Sequence, residues 1–160
     1  MSLVVRSALP ADAGLIFDFI RALADYEKLS HAVAASEADI AAALFAPAPR
    51  AFAEIAELDG TPVGFSLWFY SFSTFEGQHG IYLEDLFVVP QARGRGAARA
   101  LLRSLAQRCV AEGLGRLEWA VLDWNAPAIA VYDRLGAAAL DDWIIRRLTG
   151  PALQALSEGS

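Results

Sequence analysis

Residues 81–110, IYLEDLFVVPQARGRGAARALLRSLAQRCV, decide the fold that this sequence predicts. The first nine residues are mostly apolar and stop at Pro90, which predicts a strand that ends there. Residues 94–110 carry apolar side chains at helical spacing and predict an amphipathic helix. A short turn rich in glycine and arginine joins the two. The stretch therefore predicts one strand–turn–helix unit.

Further strands and helices flank this unit on both sides. Additional strands are predicted at 3–6, 51–57, 62–70, 116–122 and 143–148. Additional helices are predicted at 10–26, 36–45 and 125–135, and residues 71–80 are predicted as a polar loop. The pattern in the first half of the chain predicts antiparallel strands, and the pattern in the second half predicts strands that alternate with helices. This order predicts a mixed sheet with helices on both faces.

Length and composition favour one folded domain. The chain has 160 residues, 56% of them apolar, which excludes a disordered chain. We expect a single domain over residues 1–150 and a C-terminal tail over 151–160. No run of about 18 apolar residues and no secretory leader is visible, so neither a membrane partner nor export is expected. The expected compartment is the cytoplasm.

Charge and cysteine content narrow the classes of partner. Thirteen basic and 19 acidic residues give a net charge of −6, which argues against nucleic acid and is compatible with a cationic small molecule. The single cysteine, Cys109, excludes an internal disulfide and a cysteine-based metal cage. No metal site is predicted.

The turn at 93–99 has the chemistry of a pyrophosphate-binding loop. Gly94 and Gly96 allow a tight turn and a close approach of the backbone to a ligand. The N–H groups that begin the next helix favour an anion, and arginine side chains add positive charge. The loop lacks the Lys-Ser/Thr of a P-loop and the third glycine of a dinucleotide fingerprint. A plain strand-to-helix turn with solvated arginines is the alternative.

A second group of residues lies on one face of the helix predicted at 125–135. Asn125, Ala128 and Tyr132 are spaced so that they share that face, and Gly136 marks the helix end. Asn125 suits the N-cap position. The structural alternative is that Tyr132 is a half-buried anchor and Asn125 only a cap.

Together these motifs resemble a known superfamily. QARGRGAA at 91–98 followed by NAPAIAVYDRLGA at 125–137 resembles the GNAT superfamily of acetyl-CoA-dependent N-acetyltransferases. ADYEKLS at 24–30, IYLEDLFV at 81–88 and AVLDWN at 120–125 are similar to its diamine acetyltransferase family, near the thialysine N-epsilon-acetyltransferase branch. The implied fold is α+β in α/β/α layers. It has a mixed, mostly antiparallel sheet of six to seven strands and about four helices.

The resemblance implies direct acetyl transfer from acetyl-CoA to the primary amine of a small cationic acceptor, either a polyamine or a lysine-like amino acid. Glu84 is the implied base, acting directly or through water, and Tyr132 the implied acid to the CoA thiolate. Adjacent strand residues point to opposite faces, so Asp85 shares the pocket of Glu84 if a bulge intervenes. Otherwise Asp85 is a solvent-side or loop-bonding carboxylate. A homodimer is also implied.

The resemblance also implies which residues bind each substrate. The implied cofactor-binding residues are Leu86, Phe87, Val88, Arg93, Gly94, Arg95, Gly96, Ala97, Ala98, Arg99, Asn125, Ala128 and Tyr132. The implied acceptor-binding residues are Tyr26, Glu27, Glu84 and Asp85. The sequence departs from the family at Ala98, where a glycine is usual.

Two points stay open on the sequence alone. The 71–80 loop, with Phe75 and Glu76, either closes over the acceptor or is a solvated hairpin. The alternative functions are a peptide or protein N-acetyltransferase and a non-catalytic acyl-CoA-binding module.

Overall fold

The computed structural model of the chain describes residues 1–159 and contains five strands and five α-helices within them. The strands are β1 Leu3–Ser7, β2 Phe52–Leu58, β3 Thr61–Ser73, β4 Gln78–Val88 and β5 Leu117–Trp119. The α-helices are α1 Ala13–Tyr26, α2 Glu37–Phe45, α3 Ala97–Glu112, α4 Ala126–Arg134 and α5 Gly150–Ser157. The predicted mixed α+β class is confirmed.

The sheet follows the chain order β1-β2-β3-β4-β5. The first four strands pair antiparallel. Tight turns connect β2 to β3 and β3 to β4, whereas α1 and α2 lie between β1 and β2. β5 pairs parallel to β4 after the crossover through α3. The β2–β3 turn is Asp59-Gly60, a pair typical of tight hairpins, and both residues have positive φ.

Helices cover both faces of this sheet. Ile55 belongs to a buried cluster formed with residues of α1 and α2. Ala56, the next residue of β2, belongs to a second cluster that includes Leu101 of α3. Because successive strand residues point to opposite faces, the two clusters lie on opposite sides of the sheet.

The predicted strand count of six to seven is too high, and the predicted helix count is one too low. Residues 143–148 form no strand, and Trp143, Ile144 and Ile145 are each at least 74% exposed. Their alternating apolar pattern resembles a strand, but within residues 1–159 no neighbouring strand pairs with them, and a lone strand is not stable. The added helix is α5, which begins at Gly150 and occupies most of the segment predicted as a tail.

The predicted polar loop at 71–80 is largely strand. β3 runs to Ser73 and β4 begins at Gln78, leaving a turn at 74–77 that has Gly77 at positive φ. Phe72 and His79 pair across this hairpin with ring centroids 4.8 Å apart. Aromatic pairing across the strands therefore extends the ladder through residues whose polar neighbours suggest a loop.

The chain forms two compact units, Met1–Leu122 and Asp123–Ser160. The first contains the whole sheet with α1, α2 and α3, and the second contains α4 and α5. Across residues 1–159, no helix has both the length and the apolar character that a membrane crossing requires.

Candidate active site

A β-bulge in β4 presents Glu84. Leu67 of β3 pairs with Asp85 and the next residue, Trp68, pairs with Leu83, so Glu84 is an extra residue on the β4 side. A bulge interrupts the alternation of side chains along a strand. Glu84 is exposed and Asp85 is half-buried. The bulge that would let both carboxylates serve one pocket is therefore present.

Three carboxylates interact around this bulge. The pKa of Asp85 is raised from 3.8 to about 7, chiefly by burial and in addition by the nearby charges of Glu84 and Glu27. Burial also raises the pKa of Glu27, which follows the last residue of α1. The end of α1 and the bulge of β4 thus form one acidic cluster, defined as Glu27, Glu84 and Asp85. Such a cluster favours a cationic ligand.

The raised pKa of Asp85 predicts how stability depends on pH. The folded protein holds a proton at Asp85 that the unfolded chain loses near pH 3.8, so this group lowers stability as pH rises from about 4 to about 7. Asp85→Asn removes the effect. At pH 8 we expect the free energy of unfolding of the variant to exceed that of the wild type by about 2 kcal/mol. This is roughly half of the free energy that corresponds to the whole pKa shift, because Asp85 is half-buried and solvent screens part of the effect.

Urea unfolding of both proteins from pH 4 to pH 8 measures this difference. It should be small at pH 4, grow up to pH 7 and level off above that. A difference that does not vary with pH would show that Asp85 keeps an ordinary pKa.

The strands beside the bulge separate. β5 pairs with β4 from Ile81 to Leu83, where Trp119 is the last partner. β4 continues to Val88 and pairs on its other side with β3, whose Gly64 lies opposite Val88. The edge of residues 84–88 that faces away from β3 is thus not paired by β5. The backbone groups of Leu86 and Val88 lie on that edge and suit an extended amide-bearing ligand such as the pantetheine arm of acetyl-CoA. Phe87, which was also predicted to bind the cofactor, directs its backbone groups toward β3 instead.

The glycine turn has the geometry of an anion site. Gly94 and Gly96 have φ of 77° and 87°, a conformation that favours glycine. Gly96 is the N-cap of the 16-residue α3, and within the described chain no side chain caps its first N–H groups. Arg95 and Arg99 are exposed beside them. These groups fit the pyrophosphate of acetyl-CoA, and Ala98 leaves the first turn of the helix intact.

Two residues predicted in this loop have further structural contacts. Arg93 donates from Nε to the Val88 carbonyl oxygen at 3.1 Å, and its guanidinium carbon lies 4.9 Å from the centre of the Tyr26 ring. Arg93 therefore joins the cofactor loop to the end of α1. Ala97 is buried against the second apolar cluster, so its backbone N–H is the group that is left for a ligand.

The second unit contains the remaining predicted site residues. Asn125 occupies the N-cap of α4, and its side chain makes no capping hydrogen bond there. Ala128 and Tyr132 follow on the same helix face, and both are half-buried.

Two features of the site were not predicted from the sequence. One is the contact of Arg93 with Tyr26 and with the ring of Phe87, whose centre lies 5.9 Å from the guanidinium carbon. The other is Trp68, which flanks the bulge from β3. Arg93 is 67 positions away from Tyr26 in the sequence, and Trp68 is 16 positions away from Glu84. No local sequence pattern therefore links either pair.

Comparisons with known proteins identify the family of this chain. Residues 17–137 match the acetyltransferase (GNAT) family. The chain is 36% identical over 165 residues to thialysine N-epsilon-acetyltransferase of Bos taurus, covering 96% of each chain. It is 29% identical over 199 residues to L-ornithine N5-acetyltransferase NATA1 of Arabidopsis thaliana, covering 96% of this chain and 87% of the relative.

A solved structure shares the fold over the full chain. An integron cassette protein from V. cholerae superposes with a TM-score of 0.80 at 26% identity and covers 99% of both chains. The glycine turn, the separated strands and the family match all support acetyl transfer with acetyl-CoA as co-substrate. This chain belongs to the GNAT family of acetyltransferases.

Proposed function

We propose that this enzyme acetylates the side-chain primary amine of a small lysine-like amino acid. The observation that carries the proposal is the acidic cluster of Glu27, Glu84 and Asp85 beside the separated edge of β4. An alkylammonium group is the natural ligand of such carboxylates. The ring of Tyr26 adds an aromatic surface suited to a cation.

The names of the relatives favour an amino-acid acceptor over a polyamine. Thialysine and L-ornithine, named in the two curated relatives above, are both α-amino acids with a primary amine at the end of the side chain. The first relative is named for the ε-nitrogen and the second for N5. Arg93, which contacts Tyr26, supplies a cation suited to the α-carboxylate that a polyamine lacks.

Glu84 is the proposed base. A free alkylamine has a pKa of about 10.4, so near pH 7 almost all of it is protonated and unreactive. Glu84 is exposed at the bulge, where it can take the ammonium proton directly or through a water molecule. Asp85, with its pKa near 7, is in part protonated at neutral pH and therefore contributes less charge to the site.

The transfer itself needs an acid. The amine nitrogen attacks the thioester carbonyl carbon, the new C–N bond forms, and the C–S bond breaks as the sulfur leaves with its electron pair. Tyr132 is proposed to give its phenolic proton to that sulfur. The nitrogen loses two protons in all: Glu84 takes the first from the ammonium group before the attack, and the second leaves to solvent as the C–N bond forms. Glu84 passes its proton to solvent and Tyr132 regains one from solvent, so each turnover releases one proton overall.

A panel of acceptors tests the proposal. CoA release from acetyl-CoA is measured with thialysine, L-ornithine, spermidine and a lysine-containing peptide blocked at its N-terminus. We expect thialysine and L-ornithine to give kcat/KM values at least about tenfold above those of the other two, in keeping with an anchored carboxylate. A preference for spermidine would support the polyamine alternative, and a preference for the peptide would support a protein acetyltransferase. Acetyl-CoA binding without turnover of any amine would contradict the proposal and indicate a binding module.

We also propose that the enzyme is a homodimer. Trp143, Ile144 and Ile145 form a run of large apolar side chains, and each is at least 74% exposed. A contiguous exposed apolar segment is typical of a protein interface. Analytical ultracentrifugation gives the mass in solution, and a monomer at micromolar concentration would contradict this proposal.

A further inference from the structure

The side chain of Arg93 contacts both β4 and the end of α1. Its Nε donates to the Val88 carbonyl oxygen at 3.1 Å. Its guanidinium carbon lies 4.9 Å from the centre of the Tyr26 ring and 5.9 Å from that of Phe87. Arg93 directly precedes Gly94, the first glycine of the turn that leads into α3. One side chain at the start of the glycine turn is therefore held by two separate elements.

The Val88 carbonyl group belongs to the edge that suits the pantetheine arm. Val88 lies opposite Gly64 of β3, and its backbone groups point away from β3, toward the edge that β5 does not pair. A carbonyl oxygen has two lone pairs, so it can accept from Arg93 and from a ligand amide together. Arg93 thus orients a backbone group that the cofactor is expected to meet.

The glycine turn has to be ordered before it can hold a pyrophosphate. Gly94 and Gly96 have positive φ, and glycine loses more backbone freedom on ordering than any other residue. The contacts of Arg93 fix the residue that begins the turn and so supply part of this order in advance. A ligand that strengthens those contacts lowers the entropic cost of binding at the turn.

Tyr26 links the same contacts to the acceptor side. It is the last residue of α1 and is 39% exposed. The next residue is Glu27, whose charge acts on Asp85 within the acidic cluster. An acceptor that is bound by this cluster restrains the end of α1, and with it the ring on which Arg93 lies.

We propose that Arg93 is a positioning residue that couples the two substrates. With Arg93 held between Tyr26 and Val88, acetyl-CoA raises the affinity for the acceptor, and the acceptor raises the affinity for acetyl-CoA by the same factor. The acceptor half of this coupling rests on the proposed function. The link between Tyr26 and the glycine turn does not, and it is tested without any acceptor.

Calorimetric titration with CoA alone tests that link. Tyr26→Leu removes the ring and should weaken CoA binding by about threefold, the effect of one exposed cation–π contact. In the Arg93→Met background the same change should have no effect, because the cation is already gone. In Arg95→Met, which removes an exposed positive charge from the same turn, it should again weaken binding about threefold. Tyr26→Phe keeps the ring and should bind CoA as the wild type does.

The same titration at a saturating concentration of thialysine measures the coupling itself. CoA carries no acetyl group, so no reaction interferes. We expect thialysine to tighten CoA binding by about fivefold in the wild type and in Arg95→Met. In Arg93→Met the effect should fall to about twofold or less.

Two results would overturn the proposal. One is an equal effect of Tyr26→Leu in the wild-type and Arg93→Met backgrounds, and the other is full coupling by thialysine in Arg93→Met. If thialysine does not bind, the proposed function fails, and the titrations with CoA alone still decide whether Arg93 links Tyr26 to the turn. If Arg93→Met binds CoA too weakly to titrate, Arg93→Lys replaces it, since lysine keeps the charge and lacks the planar guanidinium group that donates to Val88.

Discussion

Replacing Tyr132 with phenylalanine is expected to lower kcat for acetyl transfer by about a hundredfold or more, with little change in KM for acetyl-CoA. The substitution keeps the aromatic ring at this position of α4 and removes the proposed proton donor. A free phenol has a pKa of about 10 and a free thiol one of about 8.5, so proton transfer between such groups is slightly uphill in water and is helped where the thiolate is poorly solvated. Steady-state kinetics with saturating amine measure the effect.

The matched control for this variant is Tyr82→Phe, which removes a phenolic hydroxyl on β4 that has no proposed role in the transfer. A second thioester sharpens the test, because an aryl thiol leaves without needing an acid. The deficit of Tyr132→Phe should shrink with an acetyl aryl thioester. A variant whose kcat stays within about threefold of the wild type would remove Tyr132 from the mechanism.

Replacing Glu84 with glutamine is expected to lower kcat/KM for the amine at pH 7 by about a hundredfold. The variant keeps the size of the side chain and removes the carboxylate that accepts the ammonium proton. The free-amine fraction rises about tenfold per pH unit below the amine pKa, so a variant without the base should recover activity as pH increases. The pH profile of kcat/KM between pH 6 and pH 10 records this recovery.

Asp85→Asn provides the comparison at the neighbouring position. If Glu84 is the base, Asp85→Asn should alter KM for the amine more than kcat, because Asp85 acts on the charge of the site. Glu37→Gln, on the exposed start of α2, is the matched control for loss of one negative charge. The reverse ranking, with Asp85→Asn losing kcat and Glu84→Gln keeping it, would assign the base to Asp85, whose pKa is already raised to about 7.

The local signals in the sequence were sufficient for most of the elements that surround the site. Pro90 ends the strand, Gly94 and Gly96 form the turn, and apolar spacing defines α3, because each of these effects acts within a few neighbouring residues. The same local reasoning was wrong at 71–80 and at 143–148. At 71–80, cross-strand pairs such as Phe72 with His79 decide the outcome, and at 143–148 a pairing neighbour is required.

The candidate site also combines features that the sequence predicts with features that only the tertiary structure shows. The residue types Glu84, Asp85 and Tyr132 and the glycine turn were found from motifs, because these motifs are contiguous in the sequence. From the sequence, Glu84 and Asp85 can share a pocket only if a bulge lies between them. Whether that bulge exists depends on how β3 and β4 align at Leu67 and Trp68. The pKa of Asp85 depends on burial and on Glu27, which is 58 positions away in the sequence.

The sequence by itself determined the α+β class, the glycine turn before α3, the resemblance to acetyltransferases and the types of residue available for acid–base chemistry. These follow from short-range spacing and side-chain chemistry. Only the tertiary structure decided that Glu84 sits on a bulge, that Arg93 contacts Tyr26, and that Asp85 is buried enough to raise its pKa. Those properties arise from strand register and from burial between distant segments, and neither is encoded in any single stretch of the chain.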